Sequence, residues 1–231
     1  MDLRWHCAHD DADWLARTLA FVALAEREAV ARHGAFHIVL AGGGTPRRLY
    51  VALAGEMHDW PRWHIWYGDE RCLPPEHPER NSHMAHTAWL DRVPIPSAQI
   101  HTIQAELGAN AAAEAYAREL AGVGAFDLVL LGLGEDGHTA SLFPGHVLGA
   151  GPDAADALAV YDAPKPPPER ISLSARRLSR SHRVLFLVTG AGKRDALARW
   201  RGGETLPAAA IQPDAGIDIL LDALAQGGAA P

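Results

Sequence analysis

A chain of 231 residues with a formal net charge of −7 at pH 7 can bury one large core or two small ones. Its acidic balance argues against a generic nucleic-acid binder, which would carry a basic face. Its two cysteines, Cys7 and Cys72, exclude a disulfide framework and make a reducing cytoplasm the expected compartment. The opening residues MDLRWHCAHDDADW lack the basic and apolar regions of a secretory signal, and no run approaches a membrane span, so no membrane partner is expected.

Asp10 to Arg32 reads as an amphipathic helix. Leu15, Leu19, Val22 and Ala29 recur near helical spacing, Asp10 or Asp11 can cap its start, and Gly34 can end it. Strands and helices then alternate. FHIVLA reads as a strand, followed by GGGTP and a helical RRLYVALAGE. WHIWY reads as a second strand, followed by a GDER turn and, after a proline-rich loop, a helical SHMAHTAWLDRV. IHTI is a short strand before an Ala-rich helix over Ala111 to Leu120. FDLVLLG is a short apolar strand ending at a glycine, and RVLFLVTG is another, followed by helical GKRDALARW. The alternation predicts βαβ units: an α/β, Rossmann-like domain with a doubly wound, mostly parallel sheet and helices on both faces. YDAPKPPPER, with its four prolines, reads as a loop inside a single domain over residues 1–231, because the rhythm resumes at once. Residues 227–231 are expected to fray.

In a parallel sheet all carboxyl ends lie on one edge, and ligands bind in the crevice there. Four of these strands end in chemically loaded turns. Gly42-Gly43-Gly44-Thr45 follows FHIVLA, Gly68-Asp69-Glu70-Arg71 follows WHIWY, Gly132 to His138 follows FDLVLL, and Thr189 to Lys193 follows RVLFLV. Each has a plain structural reading. GGGTP can be a tight turn with Pro46 starting a helix, GDER a charged hairpin, and Lys193 a solvated lysine. Each also has a functional one. GGGT offers backbone N–H groups and a helix N-terminus to an anion. Lys193 in a first helical turn opposes the dipole, at roughly 0.3–1 kcal/mol, unless an anion lies nearby. Together the turns bring Thr45, Asp69, Arg71, Asp136, His138 and Lys193 towards one cleft.

Gly132-Leu-Gly134-Glu-Asp-Gly137 satisfies G-x-G-x-x-G, but Pro144 and Gly145 interrupt the helix a dinucleotide would need. No second strand ends in an acid at the right distance either, so NAD is not expected. His138 can be a histidine bonded to backbone at a turn. Asp136, two residues earlier, can instead orient it as a general base suited to neutral pH. Thirteen histidines make no single one informative by identity. Cys72, His77, His83 and His86 fit no standard zinc spacing, so no metal site is expected. Trp60, Trp63 and Trp66 are expected to pack on the sheet.

The segments LAGGGTPRRLY, GDERCLPPEHPERNS, LGLGEDGHTASLFPGH, PPPERISLSARRL, VLFLVTGAGKRDAL and LPAAAIQP resemble, in order and spacing, the 6-phosphogluconolactonase family. The likeness runs from about Ala41 to Pro213. That family is related by fold to glucosamine-6-phosphate isomerase/deaminase. The resemblance implies hydrolysis of 6-phospho-D-glucono-1,5-lactone to 6-phosphogluconate, the second step of the oxidative pentose phosphate pathway. It implies no metal or organic cofactor, a small phosphosugar lactone as partner, and a monomer or weak homodimer. His138 would activate water with help from Asp136, and Asp69 and Arg71 would face the substrate. Gly43, Gly44, Thr45 and Lys193 would hold its phosphate, with Arg170 a further contact. An isomerase would carry an acid in an NEP segment after its DGH turn, where this chain has Ser141-Leu142-Phe143-Pro144. Asp218 departs from the apolar or aromatic residue common at its position in the family, and leaves the packing of the last strand open.

Overall fold

The first helix forms where the chain supplies its caps. In the computed structural model, which describes residues 2–227, α1 (Asp11–His33) begins after Asp10, whose side chain accepts from the Asp13 amide at 2.8 Å. It stops at Gly34, where φ of +83° lets the amide return to the Val30 carbonyl at 3.0 Å. Before it lies β1 (Leu3–Cys7). After it come β2 (Phe36–Leu40), α2 (Gly44–Leu53), β3 (Trp63–Tyr67), β4 (Asp69–Arg71), α3 (Asn81–Ala88), β5 (Ile100–His101), α4 (Ala109–Leu120) and β6 (Leu128–Leu131). The chain closes with β7 (Ala157–Val160), β8 (Arg170–Leu173), α5 (Ala175–Ser179), β9 (Val184–Val188), α6 (Arg194–Arg201), β10 (Ile217–Leu221) and α7 (Ala223–Gln226).

Seven strands form one sheet in the order β1-β10-β9-β6-β2-β3-β5, every pair parallel. From β2 the chain builds one way through β3 and β5, then crosses back to β6 and builds the other way. The order therefore reverses between β2 and β6, which is where an open α/β sheet leaves its crevice. Strand alternation sends neighbouring side chains to opposite faces. Trp63 donates to Glu26 of α1 at 2.7 Å, whereas Trp66 lies on the other face against Tyr116 of α4, with ring centroids 6.1 Å apart. Helices thus cover both faces, and the doubly wound α/β expectation holds. Trp60, Trp63 and Trp66 are buried as expected.

Four strands went unread. β1 is an edge strand without clear alternation. Its pairing with β10 explains Asp218: register sets Arg4 opposite it, and Arg4 donates two hydrogen bonds to its carboxylate at 2.9 Å. His6 approaches the same group at 2.7 Å. The acid in a buried strand is therefore paired, as burial of a charge requires. The other three form a second sheet, β4-β8-β7, antiparallel throughout. GDER is thus not a turn. The chain bends at Gly68, and Asp69–Arg71 pairs with β8; three residues are too few to register as a period. The proline loop remains a loop, with Arg170 as the first residue of β8. Ile171 and Leu173 of the small sheet belong to the same apolar core as the large one, and only Phe143, Val160 and Ala163 form a small separate cluster. The tail expected to fray lies outside the described residues, apart from Gly227. No described helix is long and apolar enough to cross a membrane.

Candidate active site

A cleft of about 370 Å³ opens at the carboxyl ends of β2, β3, β6 and β9, four adjacent strands of the sheet. Its wall includes Gly43, Gly44, Thr45, Asp69, Arg71, His138, Arg170 and Lys193. Of the site residues expected from sequence, Asp136 alone does not line it. A larger hollow of about 550 Å³ near α3 and α4 contains none of the expected site residues, though His83 and His86 line it.

Asp136 stands behind His138. One carboxylate oxygen accepts the His138 backbone amide at 3.1 Å and lies 2.5 Å from ring Nδ1. A carboxylate only accepts, so Nδ1 carries the proton and Nε2 presents a lone pair. No described residue bonds Nε2. Burial alone would raise the Asp136 carboxyl, but the hydrogen bonds from the His138 amide and ring outweigh it and hold the group below its ordinary value. The glycines that mimic a nucleotide fingerprint have a local cause. A Cβ on Gly134 would collide with the His138 ring and approach Asp136 Oδ1 to 2.7 Å, and Gly137 needs φ of +87°. The turn is shaped around the imidazole. On its other side the ring meets Phe143, with centroids 4.8 Å apart.

Asp69 and Arg71 occupy alternate positions of β4 and both line the cleft. The two Asp69 oxygens are occupied: Ser141 Oγ donates to one at 2.6 Å and Asn81 Nδ2 to the other at 3.1 Å. Between them Glu70 points away, fully buried. It accepts from the amides of Asn81 and Ser82 at 2.8 Å, and Arg80 Nε lies 3.0 Å from it. Arg71 donates through Nη1 to the Glu79 carbonyl, while its buried Nε has no partner. Arg170 secures the proline loop, donating to the carbonyls of Lys165 at 2.7 Å and Pro167 at 3.1 Å. Burial lowers its guanidinium pKa, and the Asp69 charge acts in the opposite direction.

Also on the cleft wall, Gly43 precedes α2 with φ of +103°, which suits only glycine, and no side chain caps the helix. Thr45 and Thr189 share a hydroxyl hydrogen bond at 2.6 Å. Lys193 ends a short 3₁₀ turn before α6, lines the cleft and has no ion-pair partner among the described residues. Sequence reasoning gave no role to four polar wall residues, Asn81, Thr139, Lys165 and Thr189. Thr139 and Thr189 lie in turns that the sequence marks, whereas Asn81 opens α3 after a long loop and Lys165 lies in the proline loop, and no periodicity reveals the course of either. Among the described residues no group of three or more His, Cys, Asp or Glu side chains could hold a metal ion, and Cys72, His77, His83 and His86 form no such cluster.

These features define an α/β protein with one cleft lined by the glycines of a helix start, by Arg71, Arg170 and Lys193, and by an oriented imidazole. The family described as "Glucosamine-6-phosphate isomerases/6-phosphogluconolactonase" matches residues 9–220, and the chain belongs to it. A 6-phosphogluconolactonase of Synechocystis sp. is 39% identical over 226 residues, covering 90% of each chain. A probable chloroplastic 6-phosphogluconolactonase 3 of Oryza sativa is 37% identical over 206 residues, 81% of this chain. The match spans only 63% of the length of that rice relative. Among solved structures, the crystal structure of 6-phosphogluconolactonase from Thermotoga maritima superposes with a TM-score of 0.88. It is 27% identical and covers 96% of this chain and 100% of its own.

Proposed function

We propose that this chain hydrolyses 6-phospho-D-glucono-1,5-lactone to 6-phospho-D-gluconate, with His138 as general base. The observation that carries the reading is the imidazole itself: Nδ1 held by Asp136, Nε2 unbonded, on the wall of a cleft lined by Arg71, Arg170 and Lys193. Nε2 takes a proton from water as its oxygen attacks C1 of the lactone. The carbonyl electrons move onto oxygen, and the Arg71 guanidinium on the cleft wall stabilises that charge together with turn amides. When the carbonyl re-forms, the C1–O5 bond breaks, and the proton on Nε2 passes to O5. The acid then ionises in water. A lactone is an activated ester, so a base and an oxyanion site suffice without a covalent nucleophile. Glycine amides at the start of α2, Thr45 and Lys193 hold the phosphate.

Aldose–ketose isomerisation would need a free carboxylate to take a carbon-bound proton. Both oxygens of Asp69 are already engaged by Asn81 and Ser141, and Ser141 to Pro144 offer no second acid. The test is a time course of acid release from the lactone against its spontaneous hydrolysis, run beside fructose-6-phosphate formation from glucosamine-6-phosphate. Lactone hydrolysis alone is expected. Isomerisation alone, or binding without turnover of either substrate, would overturn the reading.

A further inference from the structure

Asn81 opens α3, is only 4% exposed and lines the cleft. Its amide nitrogen donates to the backbone carbonyl of Asp69 at 2.9 Å and to Asp69 Oδ1 at 3.1 Å. Both partners can only accept, so chemistry settles which end of the amide is which: Nδ2 faces Asp69 and Oδ1 faces away. The backbone amide of Asn81, bonded to Glu70 at 2.8 Å, fixes where the side chain starts. Gly42 packs directly on this amide, nearest to Oδ1: a Cβ there would lie 2.0 Å from Oδ1 and 2.7 Å from Nδ2. The side chain therefore lies against the loop that begins the phosphate end, while its donors hold the carboxylate at the lactone end.

This leaves Oδ1 as the unspent group. No described residue donates to it, and it is not among the buried atoms sealed from solvent without a partner. An amide that is nine-tenths buried, with its donors used and its acceptor unpartnered beside Gly42 on the cleft wall, has a place for one incoming donor. Leaving such an acceptor empty beneath a bound ligand is costly. Phosphate oxygens and a lactone carbonyl are acceptors and cannot fill it. The hydroxyl groups between them can.

We infer that Asn81 determines specificity: its Oδ1 accepts a hydrogen bond from a ring hydroxyl of the bound phosphosugar lactone, while Nδ2 holds Asp69. This rests on the lactonase reading above. The test compares wild type and Asn81→Ala on 6-phosphogluconolactone and on its 2-deoxy, 3-deoxy and 4-deoxy analogues, each rate divided by the spontaneous hydrolysis of that lactone. Wild type should lose about tenfold in kcat/KM on the analogue lacking the bonded hydroxyl, the size expected for one hydrogen bond. Asn81→Ala should lose about tenfold on the natural lactone and nothing further on that analogue. An equal loss on all four lactones would overturn the inference, because Asn81 would then act only through Asp69. A wild type indifferent to all three hydroxyls would overturn it too. If Asn81→Ala does not fold, Asn81→Ser is read in the same way and the wild-type series stands by itself. A wild-type chain inert towards the natural lactone would bring down the proposed function instead, a result distinct from either of these.

Discussion

Replacing Asp136 with asparagine separates two things the carboxylate does for His138. Its Oδ1 accepts both the backbone amide, at 3.1 Å, and ring Nδ1, at 2.5 Å. An asparagine must turn its carbonyl oxygen to that position, because its NH₂ would face a backbone N–H that has no other tautomer. The Nδ1-protonated ring therefore survives, Nε2 stays free, and only the charge is lost. A charge-assisted hydrogen bond contributes about 1.5–3 kcal/mol and a neutral one about 0.5–1.5. The difference, about 1–1.5 kcal/mol, is roughly tenfold in rate, and the 42% exposure of the Asp136 side chain favours the low end. The assay is kcat/KM for lactone hydrolysis, with binding of 6-phosphogluconate as the control that should not move. The carboxyl sits below its ordinary value, so its charge is lost only as pH falls through that depressed range. A loss of about 10³-fold or more would mean that the amide had flipped and taken the wrong tautomer, refuting the argument from the backbone amide. No loss at all would remove Asp136 from the reaction.

Other perturbations probe other parts of the molecule. His138→Asn should fold, bind 6-phosphogluconate and lose roughly 10²–10⁴-fold in kcat; a variant within threefold of wild type would return His138 to a turn residue. Lys193→Ala should raise KM far more than it lowers kcat, by about 1.5–3 kcal/mol, and an unchanged KM in a folded variant would refute its phosphate role. Acid should destabilise the fold through His37. Burial pushes this imidazole down to about 4, helped by His64, His33 and His101 and opposed by Asp127, while Trp66 donates to its Nδ1 at 3.1 Å. A base depressed in the fold contributes stability that is complete above its unfolded pKa near 6.5 and is lost as pH falls from there towards 4. The full shift corresponds to about 3 kcal/mol, and screening of a part-exposed ring reduces the expectation to about 1–2. Denaturant unfolding at pH 7 and pH 5 measures it. His37→Gln keeps an acceptor for Trp66 and should flatten the slope; an unchanged slope would locate the acid sensitivity elsewhere.

Legibility in the sequence followed physical range. The helix at Asp11–His33 and the strands at Phe36, Trp63, Leu128 and Val184 were readable because caps, apolar runs and glycines act over a few residues. The loaded turns were readable for the same reason, since a strand end and its glycines are local features. β4, β7 and β8 were not readable, because three- and four-residue strands exist only through partners distant in sequence: Arg71 pairs with Arg170, and Leu158 with Ser172. Asn81 was lost with them. Nothing near it in sequence says that its amide will meet Asp69, or that Gly42 lacks a Cβ to make room.

Treating GDER as a turn hides why these residues stand in this order. On a strand, alternate side chains share a face, so Asp69 and Arg71 meet the cleft while Glu70 must face inwards. There Glu70 accepts from the amides of Asn81 and Ser82 and from the Ser82 hydroxyl at 2.7 Å, supplying acceptors that the exposed N–H groups of a helix start require. Arg80 balances its charge at 3.0 Å. The residue that contributes nothing to the cleft thus fixes the start of α3, and the start of α3 fixes Asn81 against Asp69. One oxygen of that carboxylate, and the acceptor beside it, depend on an acid pointing the other way.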